Sequence, residues 1–186
     1  MERNIKLAEL RRGEIKVKTK NLVMMAMLLG IGTVLHAVIP GFLSGMKFDL
    51  LLTMMFLGII LFPDVKSVAV LGLATGVISA ATTSFPGGQL ANFIDKPVTA
   101  FIFFGLYLLM KKTNKPLLSN SILTAIGTVC SGTVFLTVAL VLTGLPVPFT
   151  VLFLTIVLPT AAVNAIAMFL IYPIIQTALK RTSFAY

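Results

Sequence analysis

The chain has no tryptophan, one cysteine, one histidine and very little charge of either sign. The lone Cys130 lies in an apolar stretch, so no internal disulfide and no cysteine-based metal site can form. His36 has no second histidine, cysteine or acid at ligand spacing, which leaves a weak metal signal. Without tryptophan, anchoring at a membrane interface falls to phenylalanine and three tyrosines. No GxxxxGK[ST] phosphate loop occurs, so this chain does not itself hydrolyse ATP to drive work. HExxH and a nucleophile with a nearby base are also missing, which argues against an enzyme. Charged residues are 11% of the chain, against about 25% in a soluble domain.

What is present is apolar. Hydrophobic residues make up 58% and the mean hydropathy is +1.03, as in an all-α integral membrane protein. The net charge of +9 does not indicate nucleic acid, because seven of the fifteen cations precede Asn21 and most others flank apolar runs. Such charges orient a membrane protein and touch anionic lipid. A spanning helix needs about 20 apolar residues. Six candidates appear, over 22–39, 46–62, 66–84, 91–110, 119–143 and 149–178, separated by turn signals such as Pro40-Gly41, Pro63-Asp64 and Pro86-Gly87-Gly88. No β-barrel alternation is seen. The first apolar run is too long for a signal-peptide core and lacks a small-residue cleavage site.

Six spans place both termini on one side. With the N-terminus inside, thirteen cations are cytoplasmic and only Lys47 and Lys96 are not, so the expected topology is N-in/C-in. Residues 1–20 then form a basic cytoplasmic tail, 21–181 the six transmembrane helices, and 182–186 a short cytoplasmic end. The stretch before Val17 is polar and mixed in charge; Arg11-Arg12-Gly13-Glu14 is what a ribosome-binding sequence yields if translated, which would make Val17 the native start.

The two extracytoplasmic cations sit in two acid–base knots, Met46-Lys47-Phe48-Asp49 and Asn92-Phe93-Ile94-Asp95-Lys96-Pro97. A charge at the bilayer centre costs roughly 2.5–3.5 kcal/mol on insertion scales, so ionisable groups near a span mark function by default. Snorkelling side chains and acids favoured by the helix macrodipole are the simpler explanation for either knot alone. Two knots on one side suit a small guest carrying both signs: a carboxylate, Asp49 or Asp95, takes an ammonium, while a lysine or backbone N–H takes a carboxylate. On the fourth span Asn92, Lys96, Thr99 and Phe103 share a face, with Asp95 beside it, running from polar to apolar with depth. Asp95 and Lys96 are expected in the first helical turn, just below the surface; an intramembrane protease would need its two acids deeper.

Around the knots, Thr83–Gln89 is a compact glycine-containing loop, with Gln89 and Asn92 as amide hydrogen-bonders, and Pro40–Met46 is an apolar lid carrying Phe42. Phe48, Phe85 and Phe93 are further aromatic neighbours, and His36 is either a structural hydrogen-bonder or a pocket wall. Ala26, Gly30, Thr33 and Ala37 form a small-residue stripe on span one, suited to internal packing or to docking another membrane subunit; Gly72, Gly76 and Ala80 on span three suit internal packing. Asn164 is expected too deep to reach the knots, bonding a neighbouring helix or a carbonyl freed by Pro159. The methionines of spans one and two read as adaptable packing.

From Val17 to Arg181 the chain resembles the tryptophan-transport membrane proteins of the energy-coupling factor (ECF) substrate-capture type. The strings that carry the resemblance are Ile31-Gly32-Thr33-Val34-Leu35-His36 leading to Ile39-Pro40, Gly45-Met46-Lys47-Phe48-Asp49, Met54–Ile59, Phe85-Pro86-Gly87-Gly88-Gln89, Ile94-Asp95-Lys96-Pro97-Val98 and Ile171-Tyr172-Pro173-Ile174. The resemblance implies an ECF substrate-binding (S) component: a six-helix bundle that binds tryptophan from outside, joins a transmembrane coupling protein and two ABC ATPases, and reorients to release its substrate. No cofactor is implied. The Ala-x-x-x-Ala coupling pattern of the family reads Ala26-Met27-Leu28-Leu29-Gly30 here, which departs at its last position. The residues alone leave other ligands open, such as a vitamin or a different aromatic amino acid, and also a stand-alone carrier coupled to a proton or Na⁺.

Overall fold

The computed structural model describes residues 19–38, 45, 47–111 and 115–181. The expected tails, and Phe42 with most of the first lid, lie outside that set. All regular structure among the described residues is helical: α1 Thr19–Val38, α2 Leu50–Leu61, α3 Val65–Thr82, α4 Gly88–Met110, α5 Pro116–Leu142 and α6. The last runs Phe149–Leu152, then a π-helical turn Phe153–Val157, then Leu158–Arg181. Five of the six are long and apolar enough to cross a membrane, and α2 is a shorter apolar helix. Among the described residues the molecule is an all-α, multi-pass membrane protein.

The helix ends follow local chemistry. Asp49 caps α2 by accepting from Leu52 N (3.0 Å), and Asp64 caps α3 by accepting from Ser67 N (2.9 Å), each satisfying an otherwise unpaired donor. Gly87, at φ +70°, turns the chain into α4 in a left-handed conformation that a side chain resists. Pro116 opens α5, where its missing N–H costs nothing.

The short helix is the centre of the bundle. Every residue from Leu51 to Ile60 is buried, as befits a helix that is apolar all round. Phe56 stacks on Phe103 of α4 with ring centroids 4.0 Å apart, and α5 approaches both rings through Gly127. A Cβ there would stand 2.7 Å from Phe103. α3 and α4 meet along the expected glycine face: a Cβ on Gly72 would lie 2.9 Å from Ala100 Cβ, and one on Gly76 would lie 3.3 Å from the Phe93 carbonyl. That carbonyl has lost its helical partner to Pro97, which has no N–H to give.

Two expectations of depth change. Span two was expected from residue 46, but α2 begins at Leu50 and has twelve residues, about 18 Å at helical rise. That is well short of ~30 Å of hydrocarbon, so its capping Asp49 starts inside the bundle. Asp95 is the eighth residue of α4, about 10 Å along from Gly88, and not in the first turn. Asn164 consequently does reach the first knot: its Nδ2 donates to Asp49 O (3.2 Å) and to Thr128 Oγ1 (3.1 Å).

Candidate functional site

Faces of α1, α4, α5 and α6 and two loops converge where α2 begins. α4 brings Asn92, Asp95, Lys96 and Thr99, a face set by its periodicity and wholly buried. α1 brings His36, α5 brings Thr128, Ser131, Gly132 and Phe135, and α6 brings Ile156, Val157 and Thr160. Between them is a cavity of about 80 Å³, which Gly45, Lys47, Asp49, Thr83 and Phe85 also line.

The charges are paired across the bundle as well as along the chain. Lys96 Nζ lies 2.7 Å from Asp49 Oδ2 and 2.8 Å from Asp95 Oδ2, so one ammonium bridges the two knots. Lys47 makes no ion pair with the acids among the described residues; it lines the cavity and donates to the His36 carbonyl, at 3.4 Å. His36 Nδ1 is 3.5 Å from Asp49 Oδ1, within ion-pair range but without hydrogen-bond geometry.

The two acids differ in what remains open. Asp95 is 0% exposed. Its Oδ1 accepts from Thr99 (2.7 Å) and its Oδ2 from Ser131 (2.8 Å) and Lys96. Asp95 does not line the cavity, whereas Asp49 and Lys96 do. Each buried charge is matched and hydrogen-bonded, which is the condition for tolerating it at all. Lys47, Lys96, Asp49 and Asp95 sum to zero charge, so a guest that is neutral overall but dipolar adds no uncompensated ion.

The walls are apolar and partly aromatic. Phe85, 2% exposed, meets Phe135 edge to face with centroids 5.4 Å apart. On the far side the π-helical turn brings Val157 against Gly132, where a Cβ would collide with the valine side chain. Pro159 accounts for the turn's position, since it can neither donate to the preceding turn nor fit a regular one without a clash. Such turns commonly coincide with functional sites.

The structure therefore gathers Asp95, Lys96, Asn92, Asp49, Lys47, His36 and Phe85 at one place. Gln89 is excluded: as the second residue of α4 it is exposed and outside the lining. Phe93 is also turned outward, 45% exposed. Ser131, Thr128, Phe135 and Thr160 were not anticipated. The first three lie at i, i+3 and i+7 on span five, the spacing that was read on span four, so their shared face was available to the same argument. Thr160 has no comparable signal, because the π-helical turn breaks the periodicity before it.

On the other side of α1, Ala26 and Gly30 are exposed, Thr33 is half-buried, and a Cβ on Gly30 would meet nothing within 4 Å. Thr33 spends its hydroxyl on Leu29 O. Internal packing of α1 instead uses Gly32, where a Cβ would stand 2.9 Å from the Leu51 side chain.

The comparisons with known proteins agree with one another. Residues 18–180 match the family model described as tryptophan transporter TrpP. A probable tryptophan transport protein of Bacillus subtilis (strain 168) is 55% identical over 168 residues, covering 90% of this chain and 97% of that one. Probable tryptophan transport proteins of Clostridium perfringens and Clostridium acetobutylicum are 40% and 38% identical, covering 91% and 89% of this chain and 98% and 97% of theirs. No solved structure matches. On a family match that takes in every described helix, the chain belongs to the TrpP tryptophan transporter family.

Proposed function

We propose that this protein captures tryptophan at a pocket facing the extracytoplasmic side and passes it into the cell as the substrate-binding component of an ECF transporter. The observation that carries the reading is the buried cluster in which Lys96 bridges Asp49 and Asp95 at the wall of a neutral, aromatic-sided cavity. In this reading Asp49 takes the substrate ammonium, Lys47 and Asn92 take its carboxylate, and Phe85 and Phe135 flank the indole. Asp95 holds Lys96 in place from behind. The names of the relatives supply the substrate, and the thirteen-to-two division of cations supplies the side. The cytoplasmic cations also touch anionic lipid.

A cavity of about 80 Å³ is below the roughly 300–1,000 Å³ of pockets that bury drug-sized ligands. Seating an indole therefore requires the lining to spread, with the edge contact between Phe85 and Phe135 as the contact to part. The Ala26–Gly30–Thr33 face of α1, exposed at Ala26 and Gly30, is the docking surface for a transmembrane coupling protein that brings two ABC ATPases.

The test is equilibrium binding of labelled tryptophan to the full chain in lipid nanodiscs, without Na⁺ and without an ATPase, beside other amino acids and vitamins. Saturable one-to-one binding that prefers tryptophan is expected. Ion-driven uptake by this chain alone in ATP-free liposomes, or preference for a vitamin, would overturn the reading.

A further inference from the structure

The neutral polar groups on the α5–α6 side of the cavity are hydroxyls, and each has already spent its only proton. Ser131 donates to Asp95 Oδ2 at 2.8 Å, Thr128 to Thr124 O at 2.8 Å, and Thr160 to Ile156 O at 2.6 Å. A hydroxyl has one donor and two acceptor lone pairs, so this side of the cavity offers lone pairs only. They are not equally available. Ser131 is 3.4 Å from the Lys96 ammonium, and Thr128 accepts from Asn164 Nδ2 at 3.1 Å. Thr160, 5% exposed, has no donor directed at it among the described residues.

We infer that Thr160 Oγ1 is the specificity-determining acceptor of this site and reads a neutral ring N–H, the indole nitrogen of tryptophan. The inference rests on the capture reading above and deepens it. Asn92 stands one helical turn before Lys96 and so belongs with the charged end of the site. Thr160 stands on α6, one turn beyond Ile156 and three residues from Val157, buried where an unpaired N–H is costly. The hydroxyl proton is held by an i−4 bond to the Ile156 carbonyl, as on other helical threonines here, so Thr160 lines the cavity with its lone pairs unspent. A phenyl or thiophene ring of equal size finds no use for that lone pair. A ring carrying N–H does.

The experiment compares tryptophan with β-(3-benzothienyl)alanine, in which sulfur replaces the ring N–H, using the full chain in nanodiscs. The native protein is expected to prefer tryptophan by roughly five- to tenfold, the range of one neutral hydrogen bond. Thr160→Val should abolish that preference by weakening tryptophan alone, and Thr160→Ser should restore it. Unchanged benzothienylalanine binding reports that the valine variant is folded. If Thr160→Val binds neither compound, Thr160→Cys decides, since its sulfur is a weak acceptor of similar size: lost preference supports the inference and retained preference overturns it. Retention of the native ratio by Thr160→Val, or its loss in Asn92→Leu instead, also overturns it. A native protein that binds tryptophan without preferring it over the thiophene refutes the role of Thr160 and leaves capture standing. A native protein that binds neither refutes capture itself.

Discussion

Asp49 and Asp95 are the same residue type within one cluster, and their surroundings give them different work. Three donors occupy Asp95, while Asp49 keeps a face on the cavity. Asp49→Asn should therefore weaken tryptophan binding by the folded protein by about 1.5–3 kcal/mol, the worth of a charged hydrogen bond, on top of the stability lost with its own Lys96 ion pair. Asp95→Asn should act mainly on the fold, because it removes one partner of a buried ion pair, a change that costs about 3–5 kcal/mol in well-formed cases. Titration calorimetry and thermal unfolding on both variants separate the two roles; the reverse pattern would reassign them. The sequence made both acids visible as rare charges at the edges of apolar runs, but not which of them faces the cavity. Lys47 and Asp49 look like a pair on paper, yet Lys47 bonds the His36 carbonyl and the ion partner of Asp49 is Lys96, 47 residues away. Partnership of that kind depends on how two helices pack, which spacing along one helix does not encode. Asp95 and Lys96 do pair with each other, because a buried cation with two acids in reach satisfies both.

At the level of elements, six apolar helices and their order were legible from length and turn residues, and their ends mostly within a few positions. The departures have local causes. Met46–Phe48 adjoins the apolar run and reads as part of span two despite Lys47, but the Asp49 side chain is the N-cap, so the helix begins only at Leu50. Pro159 was visible as a helix disruptor, whereas the form of the disruption, a π-helical turn seated against Gly132, depends on α5. Gly132→Ala tests that seat. The added methyl collides with Val157 and should lower stability by about 1–3 kcal/mol, the usual cost of overpacking. Val157→Ala in the same background should recover most of the loss, since it removes the atoms that collide. Thermal unfolding in detergent gives both numbers, and a neutral Gly132→Ala would mean that the turn tolerates a wider separation of α5 and α6.

Over the whole molecule, the proposed binding and docking roles should be separable because the two surfaces assigned to them lie on different faces of the bundle. The cavity is enclosed by α1, α2, α4, α5 and α6 at one end of the bundle, but α1 contributes His36 from its last turn and turns Ala26 and Gly30 outward. The packing of α1 on α2 runs through Gly32, not through Gly30. A bulky residue at position 30 therefore has room in the isolated protein, and its only steric consequence falls on whatever approaches that face. Gly30→Leu is expected to bind tryptophan as the native chain does, with unchanged thermal stability, while uptake in cells that supply the coupling subunit and ATPases falls at least about tenfold, the effect of losing roughly 1.4 kcal/mol at the docking step. Close approach of helix backbones in a membrane depends on small residues, so Gly30→Ala should be far milder. Normal uptake by Gly30→Leu would remove α1 from the docking role and leave the pocket assignment untouched. Loss of binding along with uptake would mean instead that the α1 face and the cavity are coupled within the bundle, the short route being His36 and its contact with Asp49.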